Sequence, residues 1–569
     1  MSAINLKASL AIEFIFNTAL LFFFTLLVVK VYPYPYYFVG DFVGSSGYDS
    51  EPDYFANIVS TLNNGHSMDF LHPGIFLVKI ASFFINLSGV ELTPENIIAV
   101  SRSAQLFING ILVYIGSRLI LKQDLICTYI LYLIFLLFPA GFVLVDVISP
   151  NSVLFGFSLL IISIGSLVRR EISIQMIAFS ILLGMALAIK YTSIILVLPL
   201  VASLALDSKN KNLSHNSLYK IAFIMSLISG VSLSIFSWPM LPFIPFAFTH
   251  HGWEFNLQMI AGNKPLIFFA FFMILLAGFL LNWVFANVTI SNLYRKACAF
   301  LLSCLLIIFL INMFFFESFL SLGYSLRNYL LILGLIVLFV PKIFSWTIYQ
   351  EGKYFKLLLS FMLLATICLK LNFNNQFNIQ SSKLEHEFSS FLSKFDHYDY
   401  LVFYPTNKFL SKDIFIAWSD YRYGDKRTLF FQNQVSAALS ERQKKVRVLN
   451  SRKYKLKEPE YMFSYRYFQF IQNNKFFSSA HQNVATNQMV ALKHKSFCHE
   501  LFDGFNSSKS TVIFFPPNLD SFLHHHPFIH DEALDYVLDF KSRLNKDCNI
   551  QAKIEEVPFN SSKIYTLLI

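Results

Sequence analysis

Apolar runs, most of them about as long as a bilayer is thick, recur through the first 371 residues and decide what this chain can fold into. They fall near 9–31, 73–89, 103–121, 127–146, 150–168, 175–189, 191–206, 219–237, 264–283, 297–316, 327–345 and 355–371. A helix needs about 20 apolar residues to cross a hydrocarbon core of about 30 Å. Backbone polar groups in that core must be satisfied internally, which restricts the solution to helices or closed barrels. Composition points the same way. The chain is 55% hydrophobic and 14% charged, with 65 Phe and a mean hydropathy of +0.53, where a soluble chain carries about 25% charge. The expected fold is therefore an α-helical polytopic membrane domain over 1–371, followed by a soluble α/β or α+β domain over 372–569. In that tail, strand-like YLVFY (400–404) and TVIFF (511–515) alternate with polar, helix-like stretches. No internal repeat is visible.

The net charge of +10 does not indicate a nucleic-acid partner. Most of the excess sits in short loops and the polar tail, as membrane orientation requires. Residues 9–31 are too long for a signal peptide and lack a small-residue cleavage site, so they read as a retained anchor. Cys127, Cys298, Cys304 and Cys368 lie in apolar runs and suit packing. Cys498 and Cys548 lie in the tail and can pair in an oxidising compartment. No CxxC spacing suggests a thiolate zinc site. If 73–89 stays at the outer face instead of crossing, Lys122, Arg169-Arg170, Lys209/Lys211, Arg295-Lys296 and Lys342 all become cytoplasmic. The 175–206 run then makes two short passes meeting at Lys190. About eleven spans result, with the N-terminus inside and the tail outside.

That topology collects Asp49, Glu51, Asp53, His72, Arg102, Asp146, Lys190, His250, His251 and Arg327 at the outer face. Polar groups at membrane depth are costly and usually functional. In the outer loop 32–102, Phe55, Ile58, Val59 and Leu62 form a helical stripe over 52–64, which predicts a helix lying along the membrane surface. Ser50 and Pro52 suit the start of that helix, so Asp53 has a structural role as a capping carboxylate beside any role as base or metal ligand. His72 in FLHPG (70–74) could simply start a helix. Asp146 in VLVDVISPNS could be an interfacial turn residue, and Lys190 could snorkel. His250 and His251 follow a proline-rich loop and could be surface residues, or could hold a phosphate or metal. Arg327 and Tyr329 open a span and could be interfacial anchors. The tail's HHH (524–526) is a metal-binding tract by composition alone.

Taken in order, these motifs resemble one family. An acidic outer loop with a (D/E)-x-x-(Y/F) helix and H-P-G is followed by an Arg-led span and an interfacial acid before a Pro. Next come G-x-A-x-x-x-K-Y, an H-x-G loop and R-x-Y-L-L. The arrangement looks like the GT-C superfamily of integral-membrane glycosyltransferases, near the aminoarabinose transferases, protein O-mannosyltransferases and RgtA/B/C/D-like proteins. The likeness covers residues 1 to about 345, and the tail is similar to the variable outer domain of many members. It implies transfer of a sugar from a polyprenyl-phosphate carrier to a glycan, lipid or protein acceptor at the outer face of a bacterial inner membrane. By resemblance Asp53 is base or metal ligand, and a divalent cation, Mg or Mn, is a candidate cofactor. Lys190, Arg102, His250, His251 and Arg327 match the residues that contact the carrier phosphate. The chain departs from the pattern in having Asp53-Tyr54 where many members have Asp-Glu. That leaves Glu51, Asp49 and Asp146 as alternatives for the second acid, and HPG replaces HPP.

Residue chemistry agrees with the resemblance. Displacing a lipid phosphate needs positive charge at the leaving group and negative charge at the acceptor hydroxyl, and a polyprenyl tail needs an apolar groove. Two other classes compete. A flippase for lipid-linked saccharides would favour mid-membrane charges and pseudo-repeats. A non-catalytic scaffold could have kept the fold without the acid pair. A ligase or polymerase using a diphosphate-linked donor is a related enzyme reading.

Overall fold

The computed structural model describes residues 15–20, 22–23, 51–64, 74–121, 150–165, 173–189, 193, 215–237, 360, 364, 367–368, 386–387, 389–403, 441–448, 472, 482–483, 486, 509–515, 530–559 and 562–569. Two compact units emerge. The first comprises Met1–Tyr34, Phe42–Glu91 and Glu95–Phe377, and the main body of the second is Asn378–Ile569.

Among the described residues, the main helices of the first unit are α1 (Glu51–Asn64), α2 (Ile75–Ser88), α3 (Pro94–Leu121), α4 (Pro150–Gly165), α5 (Ile174–Ile189) and α6 (His215–Ser237). Among the described residues two stretches, Pro94–Gly116 in α3 and Tyr219–Ser237 in α6, are long and apolar enough to cross a membrane. Helix α2 has 14 residues, about 21 Å at 1.5 Å per residue, and so falls short of a bilayer core. Helix α5 is described as far as Ile189, and the buried Ser193 hydroxyl donates to the Ala186 carbonyl at 3.1 Å. The apolar runs 127–146, 191–206, 264–283, 297–316 and 327–345 lie almost wholly outside the described residues.

Helix α6 is built inside out. Tyr219, Phe223, Leu227, Val231 and Ile235, four residues apart, are exposed large apolar side chains, while Ser229, Ser232 and Ser237 are buried beside Ile221 and Met225. A continuous exposed apolar stripe suits hydrocarbon and not water. The buried face works by close approach. The Ser229 hydroxyl donates to Ser180 O at 3.0 Å, and that of Ser232 to Ile181 O at 2.8 Å. Gly184 on α5 sits so near that a Cβ there would come within 2.5 Å of Ser229 O. Small residues with interhelical hydroxyl bonds are how helices associate where no hydrophobic driving force separates protein from solvent. Helix α2 joins this group through Phe76, edge-to-face on Phe236 at 4.7 Å and on Phe157 of α4 at 6.4 Å.

The second unit is built on a mixed five-stranded sheet. Its elements are β1 (Tyr400–Phe403), α7 (Glu441–Lys445), β2 (Val446–Val448), β3 (Thr511–Phe515), α8 (His530–Cys548), β4 (Lys553–Phe559) and β5 (Ser562–Leu568). The strand order is β2-β1-β3-β5-β4. Strands β2, β1 and β3 run parallel, and β5 and β4 join antiparallel. The runs singled out at 400–404 and 511–515 are β1 and β3. Strand β1 is buried over its last three residues and β3 over all five. Alternation divides the core. Phe403 and Phe514 stack at 4.7 Å on one face, against Phe391 and Phe395. On the other, Val402, Ile513 and Phe515 meet Val537, Phe540 and Leu544 of α8. Pro558 is tolerated in β4 because that strand is an edge.

Candidate functional site

Helix α1 begins at Glu51, so Glu51 and Asp53 both ride on its first turn with Pro52 between them. Proline suits the first turn because its missing N–H has no intrahelical acceptor there, and the unpaired N–H groups of that turn favour nearby carboxylates. The surface position expected for this helix does not hold. Every residue from Tyr54 to Ser60 is buried, Phe55, Ile58 and Val59 completely. A helix covered on all sides lies inside the protein; one resting on a lipid surface would leave its Asn57 and Ser60 side uncovered.

Tyr54 packs on the turn that opens α2. Its ring lies over Gly74, where a Cβ would come within 2.7 Å of Tyr54 Cε1. Gly74 itself has φ +113°, at the N-cap of α2. Proline fixes φ near −65°, so HPP is incompatible with this turn, whereas glycine reaches positive φ without strain. Position 54 serves packing, with its side chain 1% exposed. The contact also brings the Glu51–Asp53 turn and the end of the HPG motif together.

Arg102 is the one expected carrier-phosphate ligand among the described residues. It lies in the third turn of α3, only 2% exposed, and takes part in interactions within the protein. Gln105 and Asn109 follow at i+3 and i+7, also buried, which makes a polar stripe on a helix otherwise apolar enough to span. Asn109 Oδ1 accepts the Gly156 N–H of α4 at 2.7 Å, and Asn17 donates to the Tyr114 hydroxyl at 2.6 Å. Buried polar groups require such partners, since each left unpaired costs about 1–3 kcal/mol.

Two residues of α2 escaped the sequence reading. Lys79 Nζ lies 3.4 Å from the Phe236 carbonyl at the end of α6, where a cation complements the helix dipole. One turn on, Ser82 Oγ is buried and is the unsatisfied side-chain oxygen among the described residues. The signal was present, since Lys79 is the lone charge in IFLVKIASFFINLS. The reasoning applied to Lys190 would have found it.

Asp49, His72, Asp146, Lys190, His250, His251, Arg327 and Tyr329, with the HHH tract, lie outside the described residues. Among the described residues no three His, Cys, Asp or Glu converge on a metal position. A shallow groove of about 380 Å³ runs between the 15–22 segment and α3, lined by Ile15, Thr18, Ala19, Phe22 and Phe107. In the second unit Cys548 is disulfide-bonded, whereas Cys368 is a free thiol. No family model matches the chain, and no curated protein sequence matches it significantly.

Proposed function

We propose that the protein is a multi-pass membrane glycosyltransferase of GT-C type. In this reading it moves a sugar from a polyprenyl-phosphate carrier to a glycan, lipid or protein acceptor at the outer face of a bacterial inner membrane. The observation that carries the reading is the approach of Tyr54, next to Asp53 on α1, to Gly74, the last residue of HPG. The acidic helix start and the final glycine of HPG, which the resemblance lists in order, are thereby neighbours. Asp53 takes the proton of the acceptor hydroxyl as its oxygen attacks the anomeric carbon, and Glu51, Asp49 or Asp146 assists. The leaving carrier phosphate is stabilised by Arg102, with Lys190, His250, His251 and Arg327 as further cations. Carboxylates are hard oxygen donors that suit Mg²⁺ or Mn²⁺. Asp49, Glu51, Asp53 and Asp146 would hold such an ion, which would polarise the phosphate oxygens.

Two features support the placement. The apolar groove at Phe22 and Phe107 is the kind of surface an isoprenoid chain needs. The disulfide at Cys548 favours an oxidising compartment for the tail, as expected if that domain lies outside the cytoplasm.

The test is reconstitution with a labelled polyprenyl-phosphate sugar and envelope acceptors. Asp53→Asn is expected to lower transfer by about 10²-fold or more without altering carrier binding. Unchanged transfer would remove Asp53 from catalysis. Absence of both transfer and carrier binding in the wild type would favour the scaffold reading.

A further inference from the structure

Helix α2 carries one charge in fourteen residues, the half-buried Lys79. A lysine kept there as a surface anchor would extend its ammonium toward water or headgroups. Lys79 reaches protein instead, its Nζ donating to Phe236 O at 3.4 Å, among other interactions within the protein. Phe236 is the penultimate residue of α6. Its carbonyl is therefore one of the last four, which lack an intrahelical donor and carry the negative end of the helix dipole. Phe76, one turn before Lys79, meets the Phe236 ring edge to face at 4.7 Å. Helix α2 thus holds both the ring and the carbonyl of one residue at the end of α6.

The same two turns of α2 meet α1. The Val78 N–H donates to Gly74 O at 3.0 Å, so Gly74 closes the first turn. Tyr54 lies over Gly74, is 1% exposed and follows Asp53 directly on α1. Gly74 and Lys79 are five residues apart, about 7.5 Å along a helix, a length over which hydrogen-bonded backbone transmits displacement with little bending. Described residues therefore form an unbroken line from the end of α6, through Lys79 and Gly74, to the residue beside Asp53.

We propose that Lys79 is a positioning residue for the acidic helix start: by binding the end of α6 it fixes the first turns of α2, and through Gly74 and Tyr54 the place of Asp53. The proposal rests on the glycosyltransferase reading for what Asp53 does there, whereas the mechanical link can be read without any transfer. A catalytic base displaced by about 1 Å can lose up to about 10²-fold in rate, so a cation far from the reacting atoms can govern turnover.

The experiment uses the full-length protein in lipid discs and compares wild type with Lys79→Met, Lys79→Arg and Ser82→Ala. Amide hydrogen exchange is read over 54–60, and transfer from a labelled polyprenyl-phosphate sugar gives kcat and KM. Lys79→Met is expected to speed exchange over 54–60 about tenfold and to lower kcat about tenfold or more at unchanged carrier KM. Lys79→Arg keeps a donor for the α6 carbonyl and should restore both. Ser82→Ala removes a buried hydroxyl that has no partner and should leave both at the wild-type level. Wild-type exchange over 54–60 in Lys79→Met overturns the proposal. So does an equal effect in Ser82→Ala, a speeding shared evenly by α4, or a raised KM at unchanged kcat. If the wild type transfers no sugar while exchange over 54–60 still responds to Lys79→Met and recovers in Lys79→Arg, the enzyme reading fails and the positioning link stands.

Discussion

Gly74 shows how much one residue can decide. Its φ of +113° and the Tyr54 ring at 2.7 Å from any Cβ both exclude a side chain. Gly74→Ala is expected to cost about 1–3 kcal/mol, read as a lowered midpoint of thermal unfolding in detergent, and, under the proposed glycosyltransferase reading, to reduce transfer. The helix that carries Asp53 was legible, because Ser-x-Pro-Asp before an apolar stripe is a helix start and α1 runs from Glu51. The role of Tyr54 was not. Nothing in DYFANI says that the aromatic will be used to seat a glycine twenty residues away, since that contact depends on how α1 and α2 pack and not on either sequence alone. Arg102 was legible as a cation but not as a member of a stripe. Gln105 and Asn109 are ordinary residues until their burial beside it is known.

Among elements, α5 and α6 give the sharpest comparison. Gly184→Ala forces a Cβ to 2.5 Å from Ser229 O and Ser232 Cβ, which backbone and a packed neighbour cannot relieve cheaply. The expected loss is about 1–3 kcal/mol. Gly230, in the same helix pair, has nothing within 4 Å of a Cβ. Gly230→Ala should be neutral, or stabilising by up to about 1 kcal/mol from helix propensity. Equal midpoints for the two variants in detergent melts would contradict the close contact. Helical periods and lengths carried the sequence reading of these elements. The short α2 and the strands β1 and β3 follow from apolar runs and their breaks. Strands β2, β4 and β5 were missed for physical reasons. VRV is three residues long, and KIEEVPF carries two glutamates and a proline, which an edge accommodates because half its backbone groups need no partner. The surface placement of α1 failed because an apolar stripe shows that one face is buried, and the sequence does not reveal that the polar face is covered as well.

For the whole molecule, the charge pattern proposes an orientation and the disulfide offers an independent check. Cys548 closes α8, packs beside the core formed by Phe540 and Leu544 and is disulfide-bonded. Cys548→Ser is expected to remove about 2–4 kcal/mol of stability from the tail. Limited proteolysis of the full-length protein would show it as faster tail cleavage, and reductant should speed wild-type cleavage to match. A wild-type tail indifferent to reductant would deny the bond a structural role. A membrane-impermeant maleimide applied to cells tests the orientation. A cysteine placed at Lys122 should label only after the membrane is opened, and one at His250 before.

The order of strands across the sheet has a consequence in time. Strand β1 is synthesised first but ends in the middle, with Leu401 paired to Val446 on one side and Tyr400 to Thr511 on the other. Strand β3 then waits for β5, because Val512 pairs with Leu568. Only the β4–β5 hairpin, from Phe559 and Ser562 outward, can close locally. Such a sheet gains little until distant segments meet, so its assembly is slow and its strand edges stay open while it proceeds. A chain delivering this unit across a membrane would complete the fold only on the far side, where β1 finds β2 and β3 after all three have arrived.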